Sequence, residues 1–187
     1  MRNLDQSINT GPEATKTTNA KSRQVRIVGI GASAGGLQAL EEFFTHVPAD
    51  SGMAFVVIQH LDPAQKGMLA ELLQRYTNMS VHIVTDGLKI KPNAVYVIPS
   101  NTSMSVLKNV LYLFEPNESH GLRLPIDFFF RSLADDQKEK SIGIVLSGMG
   151  SDGSDGLRAI KENGGIVLVQ EPGSAKFDSM PRSAVVA

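Results

Sequence analysis

Val25-Arg26-Ile27-Val28-Gly29-Ile30-Gly31-Ala32-Ser33-Ala34-Gly35-Gly36-Leu37 is the stretch that decides the reading of this chain. A β-branched run ends in glycines and passes into Leu37, Leu40 and Phe44 at helical spacing, which predicts a strand, a tight turn and a helix. The same unit recurs downstream. Ala54 to Gln59 reads as a buried strand, with Asp62 and Pro63 placed as N-cap and first residue of a helix whose apolar stripe is Met68, Leu69, Leu72, Leu73 and Tyr76. Val81 to Val84 and Val95 to Pro99 are further strands, and Met104 to Leu107 with Val110 to Phe114 form a small hairpin turning at Lys108-Asn109. Pro125 opens a helix carrying Ile126, Phe129, Phe130 and Leu133 on one face. Ser141 to Ser147 and Ile166 to Gln170 are the last strands, separated by a short helix through Leu157 and Ile160 that stops at Gly164-Gly165; Pro181 begins another helix. Alternating strands and helices with near-continuous Val/Ile strands predict an α/β fold: a doubly wound, mostly parallel, Rossmann-like sheet with helices on both faces, plus the hairpin.

The 187 residues are enough for one domain at the usual ~100 to 200 residues per domain. A content of 42% hydrophobic and 20% charged residues supports a packed core. Residues 1–24 are polar and aperiodic and read as a flexible tail, leaving 25–187 as the domain. Lys plus Arg is 18 against 19 for Asp plus Glu, so no excess of positive charge draws nucleic acid. Without cysteine, disulfide scaffolds, thiolate metal sites and cysteine nucleophiles drop out together. No apolar run approaches the ~18 to 20 residues of a membrane span, and no signal peptide opens the chain, so a cytoplasmic protein without membrane insertion is expected.

In doubly wound sheets ligands bind beyond the carboxyl ends of the strands. Three polar clusters fall there: Gly31 to Gly36, Gln59-His60, and Gly148-Met149-Gly150-Ser151-Asp152-Gly153. Gly31-Ala32-Ser33-Ala34-Gly35 satisfies G-x-S-x-G between strand and helix, which makes Ser33 a candidate nucleophile. The same glycines also fit a loose dinucleotide fingerprint, Gly29-Ile30-Gly31-Ala32-Ser33-Ala34, and the loop alone leaves both readings open. The position where a dinucleotide site wants an acid carries His60 instead, whose imidazole titrates near ~6.5 and suits a general base for serine. His46, His82 and His120 read as ordinary surface or core residues. Among Ser151, Asp152, Ser154 and Asp155 one is expected to cap the following helix. Asp152, nearest the strand end, is the candidate to orient His60. No H-E-x-x-H and no calcium loop occurs, so no metal or other cofactor is called for.

Taken together, Gly31-Ala32-Ser33 with Gly35-Gly36, Gln59-His60, Gly148 to Gly153 and Met180-Pro181-Arg182 resemble the catalytic domain of the chemotaxis protein-glutamate methylesterases, the CheB family. The likeness runs from about Val25 to the end. His60-Leu61-Asp62-Pro63 and Leu122-Arg123-Leu124-Pro125-Ile126-Asp127-Phe128 are most similar to the version in fused methylesterase-methyltransferase proteins. The resemblance implies hydrolysis of glutamyl methyl esters, and deamidation of glutamines, on chemoreceptor-type proteins. Its nucleophile, histidine and aspartate fall on Ser33, His60 and Asp152, and its oxyanion backbone donor on Met149, to which the N–H of Ala34 is added. Arg182 and Arg123 are the expected cations for an acidic receptor helix, and a methyltransferase, fused or separate, is an expected partner. Ala34 stands where the chemotaxis enzymes usually carry Thr. No receiver domain is expected before Val25, and the family's final segment is expected to be cut short at Ala187. The competing expectation is a non-catalytic module that binds a receptor or a nucleotide.

Overall fold

The computed structural model describes residues 25–59, 68–115 and 124–187. The expectations on the 1–24 tail, His60, Asp62-Pro63, His120 and Arg123 lie outside them. Parallel strands β1 (Arg26–Ala32), β2 (Met53–Gln59), β3 (Ser80–Ile83), β5 (Ala94–Val97), β8 (Ile142–Val145) and β9 (Ile166–Val169) form one sheet in the order β3-β5-β2-β1-β8-β9. β1 lies at its centre, in parallel register with β2 (Ala32 opposite Gln59) and with β8 (Gly31 opposite Val145). After β1 the chain winds toward β3, and it later returns on the other side of β1 as β8 and β9. The loops leaving β1 and β8 therefore emerge side by side at the carboxyl end of the sheet and lead to helices on opposite faces, the kind of switch point at which ligands bind.

Helices cover both faces. On one, α1 (Gly36–His46) and α2 (Met68–Leu73) bury Leu40, Phe44, Leu69 and Leu73 against Val28, Ile30, Phe55 and Val57. On the other, α3 (Pro125–Gln137), α4 (Ser154–Glu162) and α5 (Ser179–Val186) pack with Ile27, Val56, Ile58 and Val145. The expected stripe of α3 is borne out, since Ile126, Phe129, Phe130 and Leu133 are all fully buried. Beyond α3 lies a second sheet of antiparallel strands β4 (Leu88–Lys89), β7 (Val110–Phe114) and β6 (Ser103–Leu107). The expected hairpin is its β6–β7 pair, and Lys108 and Asn109 take φ of 50° and 60°, the left-handed pair that a tight hairpin turn requires.

Three local expectations shift. β4 turns the hairpin into a three-stranded sheet, and two residues are too few to carry a period. Tyr76 falls beyond the end of α2 and is exposed, as is Met68 at its start. α5 begins two residues before Pro181, which occupies a first-turn position where a missing N–H costs no helical hydrogen bond.

Gly29 and Gly31 lie within β1, and their bare faces receive α3: a side chain at Gly29 would meet Phe129, Phe130 and Leu133, and one at Gly31 would meet Ile126. These two glycines let a helix approach a strand. They are not free to form the phosphate-binding turn of the dinucleotide reading, because β1 continues in register through Ala32. No helix among the described residues is long and apolar enough to cross a membrane.

Candidate active site

Ser33 sits where the chain leaves β1. Its N–H donates to the carbonyl of Ser147 at 3.0 Å, and its own carbonyl accepts from Gly36 N–H at 2.9 Å. Gly35, at φ 71°, turns the backbone into α1, and no acidic side chain or side-chain cap occupies that helix start. Among the described residues the N–H groups of Ala34 and Gly35 have no acceptor, so the positive end of α1 opens beside the serine.

The second loop, 148–153, leaves β8 beside it. Gly148 donates to Phe177 O at 3.0 Å and accepts from Met180 N–H at 3.0 Å, while Gly150 N–H donates to the Ser179 hydroxyl at 2.9 Å. Met149, between them, exposes 61% of its surface, and its N–H has no acceptor among the described residues. Backbone donors of this kind, adjacent to a nucleophile, are what an oxyanion requires.

Ser147, which the sequence reading passed over, joins the two loops and the approach to α5. Fully buried, its hydroxyl lies 3.0 Å from Ala34 O and 3.3 Å from Phe177 O, and accepts from Phe177 N–H at 3.0 Å. A serine between a buried strand and a glycine was the only local signal for it.

Asp152 is 3% exposed. Its two carboxylate oxygens accept from Ile126 N–H at 3.0 Å and Asp127 N–H at 2.9 Å, so it caps α3, not the helix that follows it. The N-cap position of α4 is Gly153, at φ 96°, without a side-chain cap of its own. The expectation that Ser151, Asp152, Ser154 or Asp155 caps α4 is thus replaced by a longer-range solution. Asp127, equally buried at 3% exposure, accepts from Gly156 N–H in the first turn of α4 at 2.7 Å. Each carboxylate caps the other's helix. Burial pushes the Asp127 carboxyl above the ordinary aspartate value, the Gly156 N–H pulls it back, and the charge of Asp152 pushes it up again.

Arg182, on α5, is largely exposed and donates to Asp178 at 2.6 Å. That contact holds the Asp178 carboxyl below its usual range and the guanidinium above its own. Of the remaining histidines, His46 reaches the Glu42 carbonyl on the exposed face of α1, and His82 on edge strand β3 stacks on Tyr96. Both have the ordinary roles expected of them. Among the described residues no group of three or more His, Asp or Glu could hold a metal ion.

The structure thus brings Ser33, the N–H groups of Ala34 and Met149, and the loop bearing Asp152 to one carboxyl-terminal edge of the sheet, with Gln59 at the end of the adjoining strand. His60, the next residue in the chain, and Arg123 lie outside the described residues.

Residues 28–187 match the family model described as CheB methylesterase. A Leptospira interrogans protein, named provisionally a protein-glutamate methylesterase/protein-glutamine glutaminase, is 35% identical over 84% of this chain and 82% of its own length. Protein-glutamate methylesterase/protein-glutamine glutaminase 3 of Pseudomonas aeruginosa is 32% identical over 97% of this chain, which spans 54% of that relative. Among solved structures, the Thermotoga maritima CheB methylesterase catalytic domain superimposes with a TM-score of 0.78 at 29% identity, covering 87% of this chain and 88% of that one.

Proposed function

Because the chain belongs to the CheB methylesterase family, we propose that it hydrolyses glutamyl methyl esters on chemoreceptor-type proteins, and deamidates receptor glutamines, with Ser33 as nucleophile. The observation that carries the reading is the backbone junction of Ser33 with Ser147, which sets the serine against the loop holding Asp152 and beside two backbone donors that have no acceptor among the described residues. In the first half-reaction the Ser33 oxygen attacks the ester carbonyl while His60 takes its proton. The tetrahedral oxyanion is held by the N–H groups of Met149 and Ala34, each donor being worth on the order of 3 kcal/mol. Methanol leaves, protonated by His60, and water, activated by the same imidazole, releases the glutamate and restores the serine. On a glutamine substrate the leaving group is ammonia and the rest is unchanged.

Asp152 orients His60 and stabilises the imidazolium. A carboxylate has about four lone-pair sites, and the α3 N–H groups use two, so capping a helix leaves acceptor capacity for an imidazole N–H. Arg182 and Arg123 steer an acidic receptor helix toward the crevice. The reaction takes place in the cytoplasm, where a methyltransferase, fused or separate, supplies the methylated substrate.

The test is methanol release from a methylated receptor fragment by the wild-type chain and by Ser33→Ala. Release that is lost in the folded variant is expected. Release that persists refutes the serine mechanism, and binding of the fragment without any release favours the non-catalytic module.

A further inference from the structure

The reciprocal caps of α3 and α4 place a second buried carboxylate behind the site. Asp127 stands in the first turn of α3, where an exposed acid would already interact favourably with its own helix dipole. Instead it is buried and bonds out of its helix, to Gly156 N–H. Its neighbour Asp152 bonds back into α3. The other charged groups acting on Asp127 are Arg131 and Asp155, and these two pair with each other at 3.5 Å on the surface. Two adjacent buried carboxylates repel, and replacing buried charges with apolar side chains is often neutral or stabilising. Stability alone therefore gives a weak reason for the arrangement.

A geometric reason is stronger. The loop bearing Asp152 contains Gly148, Gly150 and Gly153, the last two at φ 86° and 96°, and so has little stiffness of its own. At its β8 end the loop is held by Phe177, Ser179 and Met180. At its α4 end it is held by the Asp127–Gly156 bond and by the Asp152 bonds to α3. Gly156 presses directly on α3, since a side chain there would meet Phe130 and the Asp127 backbone, so any lengthening of the Asp127 bond moves α4 and the loop together.

We propose that Asp127 is a positioning residue for the hydrolysis: by clamping the start of α4 to α3 it fixes the Asp152 carboxylate relative to Ser33 and the base. This rests on the reading above that Asp152 serves the base. Asp127 touches no substrate. Its role is exerted through Asp152, which predicts a dependence that a generic structural residue does not show.

The experiment measures kcat and KM for methanol release from a methylated receptor fragment, with thermal unfolding as the folding control. Asp127→Ala is expected to lower kcat on the order of 10- to 100-fold, as displacement of a catalytic group by about 1 Å does, with KM within about twofold. Asp127→Asn keeps an oxygen for Gly156 N–H and is expected to recover activity to within about threefold of wild type. Asp127→Glu, which keeps the acceptor but displaces it by one methylene, loses kcat without unfolding and replaces the alanine variant if that one does not fold. On an Asp152→Asn background, removing Asp127 costs nothing further, because the group it positions is already gone. Asp155→Asn, an exposed acid in the same helix turn, leaves turnover unchanged.

A folded Asp127→Ala or Asp127→Glu enzyme with wild-type kcat overturns the proposal, as does a loss that multiplies undiminished with that of Asp152→Asn. If Asp152→Asn itself turns over at the wild-type rate, the triad reading fails first. If Asp152→Asn is inactive while Asp127→Ala is not, only this inference fails.

Discussion

Replacing Gly148 by alanine tests the steric lock between the two crevice loops. A Cβ at this position would overlap the Met180 sulfur and stand 2.9 Å from Ser33 Cβ and 3.1 Å from Met180 Cε. Met180 is fully buried, so its sulfur cannot swing into solvent, and part of the displacement falls on Ser33. Carbon atoms pack best at about 3.5–4.0 Å, so with the new methyl group held at this position the serine must retreat by roughly 0.6–1.1 Å, in addition to the repacking of Met180. A shift of that size at a nucleophile costs up to about 100-fold in rate, and we expect kcat to fall on the order of 10- to 100-fold. Overpacking itself costs about 1–3 kcal/mol, which for a domain of this size lowers Tm by about 2–4 °C per kcal/mol. Gly52→Ala is the matched control. It lies just before β2, has nothing within 4 Å of the new methyl group, and is strained only by its φ of 75°. It should lose stability by about 1–2 kcal/mol without losing kcat. Methanol release and thermal unfolding, measured on both variants, decide the matter. A folded Gly148→Ala enzyme with wild-type kcat would refute the claim that Gly148 sets the position of Ser33.

Three further outcomes are expected. Ser147→Ala leaves the part-buried Phe177 N–H without its acceptor and unties Ala34 from the α5 approach, so denaturant unfolding should show a loss of about 1–2 kcal/mol, with a fall in kcat. Burial and the charge of Asp152 hold the Asp127 carboxyl above its ordinary value of 3.8, so the native state binds that proton more tightly than the unfolded chain. Its contribution to stability is complete below that pH and is lost as pH rises through the raised value. Relative to Asp127→Asn, the wild type should therefore be best placed below pH 3.8 and lose ground as pH rises above it in urea titrations; the opposite trend would show the carboxylate to be net stabilised by its helix terminus. Arg182→Glu, which sets a second acid beside Asp178, should raise KM for a receptor fragment at low ionic strength and much less at high salt, and a salt-independent KM would remove Arg182 from substrate steering.

Much of the architecture was legible along the chain because its signals are local. The Val/Ile runs of β1, β2 and β5 are buried on both faces and read as continuous apolar strands; the stripe of α3 and the Lys108-Asn109 turn each follow from a few neighbouring residues. β4 escaped because it is two residues held by pairing with Leu111 and Val110, not by a period of its own. The glycines of β1 were misleading for a related reason. Gly29-x-Gly31 has the spacing of a phosphate turn, and only the helix packed against it, some 95 residues later in the chain, distinguishes a contact face from a ligand loop.

The candidate site divides in the same way. Ser33 can be singled out from sequence, since a glycine-flanked serine between strand and helix is a local geometry, and the strand-end placement of Gln59-His60 and Gly148–Gly153 puts their loops at one sheet edge. That Asp152 turns inward while Asp155 stays at the surface with Arg131 and Arg158 could only be chosen by proximity to the strand, because both are equally plausible helix caps. Which carboxylate caps which helix depends on α3 lying against α4. The deciding hydrogen bonds join residues 25 to 29 positions apart, and a backbone N–H at a helix start donates to whichever oxygen packing brings to it. Asp127 and Ser147 stayed hidden because hydrogen bonds between elements carry no periodicity, so nothing at either residue's own position in the chain announces its partner.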